Sequence, residues 1–326
     1  MNATFTILGS GVAGLSLAAE LSERDARIQV IDPNGAPGKH ACSWWAGGML
    51  APECEGVFSE KAVTRHGRKA ASWWATHGAG LSQSGTLVVA LDRDHNELAT
   101  FARRLNGAVW LDRDRLVDLE PHLADHFSHA LFVESEAHLN PRRTLTRLRK
   151  RLEQSGVVFT EDGTPNGQVI DCRGLEARDH LCDLRGVKGE MVTVRSEDVI
   201  LHRPVRLLHP RFPLYVVPRC NGVFMLGATQ IESGERNRAT VRSVVELLNA
   251  AYALHTAFGE AELLEVGADA RPAFPDNLPR IRRTCDRVYV NGLYRHGFML
   301  SPALARMTAD LLLEEKEPED FYEDHR

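Results

Sequence analysis

The stretch Phe5-Thr6-Ile7-Leu8-Gly9-Ser10-Gly11-Val12-Ala13-Gly14 decides how the rest of the chain is read. Phe5 to Leu8 is a short apolar run, Gly9 to Gly14 fits G-x-G-x-x-G, and Leu15 to Leu21 continues at helical spacing. Arg27 to Ile31 reads as a second strand closed by Asp32-Pro33. Strand, tight turn, helix and strand form a βαβ opening, which requires a parallel sheet covered on both faces. In such a turn Gly9 allows the sharp bend, Gly11 lets a pyrophosphate approach the backbone, and Gly14 lets helix and strand pack closely. The helix start at Val12 and Ala13 adds unbonded N–H groups and the positive end of the helix dipole. Asp32 stands where a carboxylate accepts hydrogen bonds from an adenosine ribose. The reading is a dinucleotide site at Gly9, Gly11, Val12, Ala13, Gly14, Asp32 and Pro33. The turn alone does not separate FAD from NAD.

The rest of the composition narrows the class. The chain has 326 residues, 43% hydrophobic and 25% charged, enough for a full core. A net charge of -5 argues against an electrostatic grip on nucleic acid. The arginines at 142, 143, 147, 149 and 151 sit among Leu and Thr at helical spacing, as on a solvated helix face. No stretch approaches the ~20 apolar residues that span a bilayer, and the first residues carry no basic, signal-like segment, so a cytoplasmic protein without a membrane partner is expected. Six cysteines lie scattered without a CxxC pair, which suggests free thiols and no metal site.

Further along, the spacing predicts helices over 59–74, 96–105, 116–121, 140–152, 242–258 and 301–315. Strands are expected at 85–91, 129–133, 157–159, 169–171, 191–194, 205–209, 214–218, 223–226 and 288–291. The chain thus crosses twice between two halves. The expected architecture is α/β: a Rossmann-type dinucleotide domain of 1–75, 140–188 and 265–326, interleaved with a strand-rich α+β substrate domain of 76–139 and 189–264.

Three further segments carry a family resemblance. Cys42-Ser43-Trp44-Trp45-Ala46-Gly47-Gly48-Met49-Leu50-Ala51-Pro52 resembles the S-x-x-A-G-G-M-L-A-P stretch of the glycine oxidases of the thiamine pathway, in the D-amino-acid oxidase superfamily. Small residues there let backbone lie against a flat ring system, and the Ser43 hydroxyl or Cys42 thiol can bond phosphate. Asn291 to Pro302 resembles the family's G-x-x-R-x-G-x-x-L-x-P flavin loop, which runs here through Leu293, Tyr294, Arg295, His296, Gly297, Phe298 and Met299. Leu214-Tyr215-Val216-Val217-Pro218-Arg219, followed by Gly227-Ala228-Thr229, resembles the hairpin lining the substrate pocket, and Arg271-Pro272 takes the place of the family's G-x-R-P. The resemblance covers essentially the whole chain in order.

What the resemblance implies is a non-covalent FAD enzyme that oxidises a small amine or amino acid, most directly glycine, with molecular oxygen as acceptor and peroxide as product. It would serve thiamine thiazole biosynthesis, as a monomer or a homo-oligomer. Hydride would pass from the amine Cα–H to the flavin, which carries the chemistry while protein groups hold the substrate. Arg271 would grip the carboxylate as a bidentate fork, with Tyr215 as an auxiliary donor and Arg295 placing substrate and ring. Gln230 stands where the better-known family member has a methionine, so the substrate range is expected to differ. His40 and Cys285 sit in no covalent-attachment motif. The segment 159–168 is shorter than in longer relatives, which leaves the adenine-side contacts unassigned. A sarcosine- or D-amino-acid-type oxidase or dehydrogenase, or a non-catalytic flavin subunit, remains the alternative.

Overall fold

A computed structural model describes residues 3–78, 80–209 and 213–326. The opening βαβ forms as expected. Thr4–Leu8 pairs in parallel with Arg27–Ile31 on one side and Gln168–Asp171 on the other, with Ile7 level with both Val30 and Ile170. The full seven-stranded sheet runs Tyr322–Asp324, Arg280–Arg283, Arg287–Asn291, Gln168–Asp171, Thr4–Leu8, Arg27–Ile31, Val158–Thr160. Phe5, Ile7, Val30 and Ile170 are buried in the core between the helices that cover it, as a two-sided parallel sheet demands.

The helices Val12–Ser22 and Gly297–Glu314 pack on each other, joined by a 3.1 Å hydrogen bond from the Ser16 to the Ser301 hydroxyl. The last helix starts at Gly297, earlier than 301, and so carries Pro302 inside it. Proline has no N–H to give the carbonyl four residues back, and here the Trp74 indole N–H bonds that Phe298 carbonyl at 2.7 Å. The expected helix over 59–74 is two, Lys61–Gly67 and Ala70–His77.

The second sheet has nine strands in the order Ile231–Glu232, Arg185–Arg195, Val223–Gly227, Leu214–Pro218, Val205–Leu208, Thr86–Ala90, His129–Val133, Val109–Asp112, with Glu262–Ala273 also pairing with Arg185–Arg195. Most of its pairings are antiparallel, as a strand-rich substrate half requires. Among the described residues seven strands escaped the sequence reading: Met49–Leu50, Val109–Asp112, Ala137–His138, Ile231–Glu232, Glu262–Ala273, Arg280–Arg283 and Tyr322–Asp324. Most are only two to four residues long, too short for a period to show, and the long Glu262–Ala273 mixes in Gly and Pro. Arg280–Arg283 is held by ion pairs, Arg280 and Arg282 both bonding Glu323. Arg185–Arg195 and Glu262–Ala273 form one long antiparallel ladder that spans positions 188/189 and 264/265.

Candidate active site

One cavity of about 1190 Å³ is lined by residues of both sheets. Every residue singled out above for cofactor or substrate lines it except Gly14. Gly14 instead lies under the turn, where a Cβ would stand 2.0 Å from the Gly9 carbonyl oxygen. Gly9 has φ +96, a left-handed conformation that favours glycine.

At the dinucleotide end, a Cβ on Gly11 would meet nothing closer than the Ser43 hydroxyl at 3.8 Å. The helix Val12–Ser22 begins there with no side-chain cap and no acid in its first turn, so its leading N–H groups face the space unneutralised. The Ser43 hydroxyl is itself buried without a hydrogen-bond partner among the described residues. An open approach to backbone, free N–H groups and an orphan hydroxyl make a fitting cradle for a pyrophosphate. Asp32 accepts from the Ser10 N–H at 2.8 Å and hydroxyl at 2.7 Å, and from the Asn34 N–H at 3.0 Å. Burial pushes its carboxyl up, but these hydrogen bonds hold it below the usual range, so it is ionised at neutral pH. The Cys42 thiol differs: burial and the Asp269 carboxylate push it up to about 12, so it stays neutral and offers at most a weak donor.

The shortened segment 159–168 does not line the cavity; the wall is built by Cys172, Arg173, Gly174, Leu175 and Glu176. Arg173 pairs with buried Asp171 at 2.6 Å, and the Asn291 side-chain amide bonds the Gly174 carbonyl at 2.9 Å. Arg236 closes this wall by bonding Asp269 and Glu176, each at 2.6 Å, and the His40 carbonyl. His40 lines the cavity, whereas Cys285 is exposed elsewhere.

The substrate end rests on a row across the second sheet. Arg206, Tyr215, Gly227, Met191 and Gly267 stand opposite one another on successive strands. The glycines leave room for rings: a Cβ on Gly47 or Gly227 would come within 2.9 or 3.0 Å of the Tyr215 ring, and one on Gly267 within 2.1 Å of Trp45. The loop carrying Gly47 therefore lies flat on Tyr215. Arg219 fastens it, donating to the Gly47 carbonyl at 2.7 Å and the Leu139 carbonyl at 3.2 Å. Burial and nearby Arg142 push Arg219 down to about 10, still cationic at neutral pH.

The two arginines expected at the substrate differ. Arg271 donates to the Thr229 carbonyl at 3.1 Å, and a Cβ on Gly189 would stand 2.2 Å from its guanidinium, so the group lies flat on that glycine. Among the described residues no carboxylate comes within ion-pair distance of it. Arg295, by contrast, sits 2.7 Å from the Glu55 carboxylate. Glu55 also accepts from Arg206 at 2.7 Å and faces His296 Nε2 at 3.0 Å. Burial alone would raise the Glu55 carboxyl, but the two guanidiniums and His296 hold it well below the glutamate range. Glu55, Arg206, Arg236 and Asp269 were not anticipated as site residues. Arg206 becomes visible only through its register with Tyr215. At the rim, the Tyr294 hydroxyl donates to the Gln230 carbonyl oxygen at 2.9 Å, tying loop to hairpin. Among the described residues no helix is long and apolar enough to cross a membrane.

With this geometry established, comparison with known proteins identifies the class. The model of the FAD dependent oxidoreductase family (DAO) matches residues 4–311, and the chain belongs to that family of FAD-dependent oxidoreductases. A Rhizobium etli protein named "Putative thiamine biosynthesis oxidoreductase ThiO" is 48% identical over 318 residues, covering 95% of this chain and 97% of the relative. The glycine oxidase of Bacillus licheniformis is more distant, 25% identical over 345 residues, covering 94% and 92%. Among solved structures, glycine oxidase from Geobacillus kaustophilus superposes with a TM-score of 0.83 at 23% identity, covering 97% of this chain and 95% of that one. The shared fold is a parallel cofactor-binding sheet joined to an antiparallel-rich second sheet.

Proposed function

We propose that this enzyme oxidatively deaminates glycine to glyoxylate and ammonia, reducing oxygen to hydrogen peroxide, and so supplies the thiazole branch of thiamine biosynthesis. The single observation that carries the reading is Arg271, a guanidinium on the cavity with no carboxylate partner among the described residues. The names of the similar proteins support the same reaction and pathway.

Arg271 would receive the substrate carboxylate as a fork, and the Tyr215 hydroxyl, which bonds no described residue, would be a second donor. Burial raises the Tyr215 hydroxyl above its ordinary pKa, so it stays protonated and able to donate. FAD, held non-covalently, would supply the hydride acceptor and the electron route to oxygen. The helix start at Gly11, the orphan hydroxyl of Ser43, Asp32 and the loop Gly47–Met49 would hold it, with the segment Leu293–Met299 on its other side. No strong base is required where the amine binds neutral, and His296 is engaged with Glu55.

Anaerobic addition of glycine, sarcosine and D-alanine to the yellow protein tests the reading. Glycine should bleach the flavin absorbance, and re-admitted air should restore it with peroxide. No bleaching by any of the three overturns the amine-oxidase reading, and bleaching without peroxide makes the enzyme a dehydrogenase. Heat or acid should release all the flavin from the polypeptide.

A further inference from the structure

Among the described residues Arg206, Arg271 and Arg295 all act on Tyr215, and one strongly ionised carboxylate, Glu55, pairs with two of them. The next acid behind it, Glu136, is fully buried, accepts from the Cys54 N–H at 2.8 Å, and is pushed by burial toward its neutral form. Glu55 is thus a single carboxylate between two guanidiniums, and Arg206 is the one of them that stands in the Tyr215 row. Its position is equally telling. Arg206 lies directly across the strand pair from Tyr215, whereas Arg271 comes from Glu262–Ala273, three strands beyond the Tyr215 strand. The two guanidiniums thus approach Tyr215 from opposite directions, and both act on its hydroxyl. Arg206 spends one N–H on Glu55, while its Nε is buried with no partner among the described residues.

We infer that Arg206 is the anchor of a second anion position, so that beside glycine the site takes small amines carrying two acidic groups, one on Arg271 and one toward Arg206. A substrate of this kind satisfies the buried Nε. The inference rests on the amine-oxidase reading for turnover but not for binding.

Non-oxidisable acids separate the two. The flavin-loaded wild-type protein is titrated with malonate, succinate and acetate, following the flavin absorbance. The tighter of the two diacids should bind about tenfold or more better than acetate. Iminodiacetate and sarcosine, which share a secondary amine and one carboxylate, are then compared as substrates. Arg206→Gln should lower the ratio of their kcat/KM values, diacid over monoacid, by about thirtyfold, and Arg206→Lys should restore part of it. Diacids that bind no better than acetate to the wild type overturn the inference, whether or not the variant folds. So does an Arg206→Gln protein in which both substrates change equally. Tight diacid binding weakened by Arg206→Gln, with no amine bleaching the flavin, sustains the anion site and overturns the amine-oxidase reading instead.

Discussion

The two ends of the cavity are made of different material. The dinucleotide end consists of backbone and missing side chains: a glycine turn, uncapped N–H groups and one orphan hydroxyl. The substrate end consists of charges carried in from distant segments, with Glu55, Arg206, Tyr215, Arg271 and Arg295 on separate elements. Backbone donors are positioned by the turn itself. Guanidiniums are positioned only by what they bond, and Arg295 and Arg271 show the consequence. The family resemblance put both at the substrate, Arg271 on its carboxylate and Arg295 placing substrate and ring, yet Arg295 is held by Glu55 whereas Arg271 has no carboxylate partner among the described residues.

The largest expected effects break the contrast at its glycines. Gly14→Val forces side-chain atoms into the Gly9 carbonyl, and such overpacking against backbone should cost about 3 kcal/mol or more, seen as aggregation or a collapsed melting temperature. Gly11→Val points into the open cavity instead. The apoprotein should melt as the wild type does, while FAD binding weakens by about 3 kcal/mol, roughly a hundredfold in Kd. Normal flavin content in Gly11→Val would remove the cradle from this turn.

Arg271→Ala probes the other end. Removing one partner of a desolvated charge pair costs about 2–5 kcal/mol, or roughly thirty- to several-thousand-fold in kcat/KM toward glycine. Flavin content should hold, Arg271→Lys should recover part, and an amine without a carboxylate should lose far less. Equal losses for both substrates would make Arg271 a structural residue.

Glu55→Gln leaves Arg206 and Arg295 facing each other without their shared counter-charge. It should destabilise the fold by about 3 kcal/mol at neutral pH, read by denaturant titration. The folded-state pKa of Glu55 lies well below the ordinary 4.5, so its contribution is full above that value and is lost as the pH falls through the depressed one. The gap between wild type and Glu55→Gln should therefore stay constant from neutral pH down to the ordinary value and close only below it. A gap that closes on raising the pH instead would contradict the ion-pair assignment.

The smallest effect belongs to the rim. Tyr294→Phe removes one exposed hydrogen bond to Gln230, worth about 0.5–1.5 kcal/mol, and should shift KM a few-fold with kcat little changed. An unchanged KM for both glycine and bulkier N-substituted glycines would confine this bond to holding the loop.

Local chemistry in the sequence determined the dinucleotide half. A βαβ opening, a glycine turn and an acid at a strand end involve residues a few positions apart, and their physics is carried by the backbone they belong to. The segments 291–302 and 214–229 were legible in another way, only through their resemblance to family motifs. Only the tertiary structure decided which charges meet. Glu55 and Arg206 are 151 residues apart in the sequence and form an ion pair where Arg206 falls in register with Tyr215. The wall at Cys172–Glu176, the Arg236–Asp269 pair and the neutral Cys42 thiol follow in the same way, from burial and pairing across sheets. Periodicity reports which face of a strand is buried, but a charge's partner depends on strand order and register, which no single stretch of sequence contains.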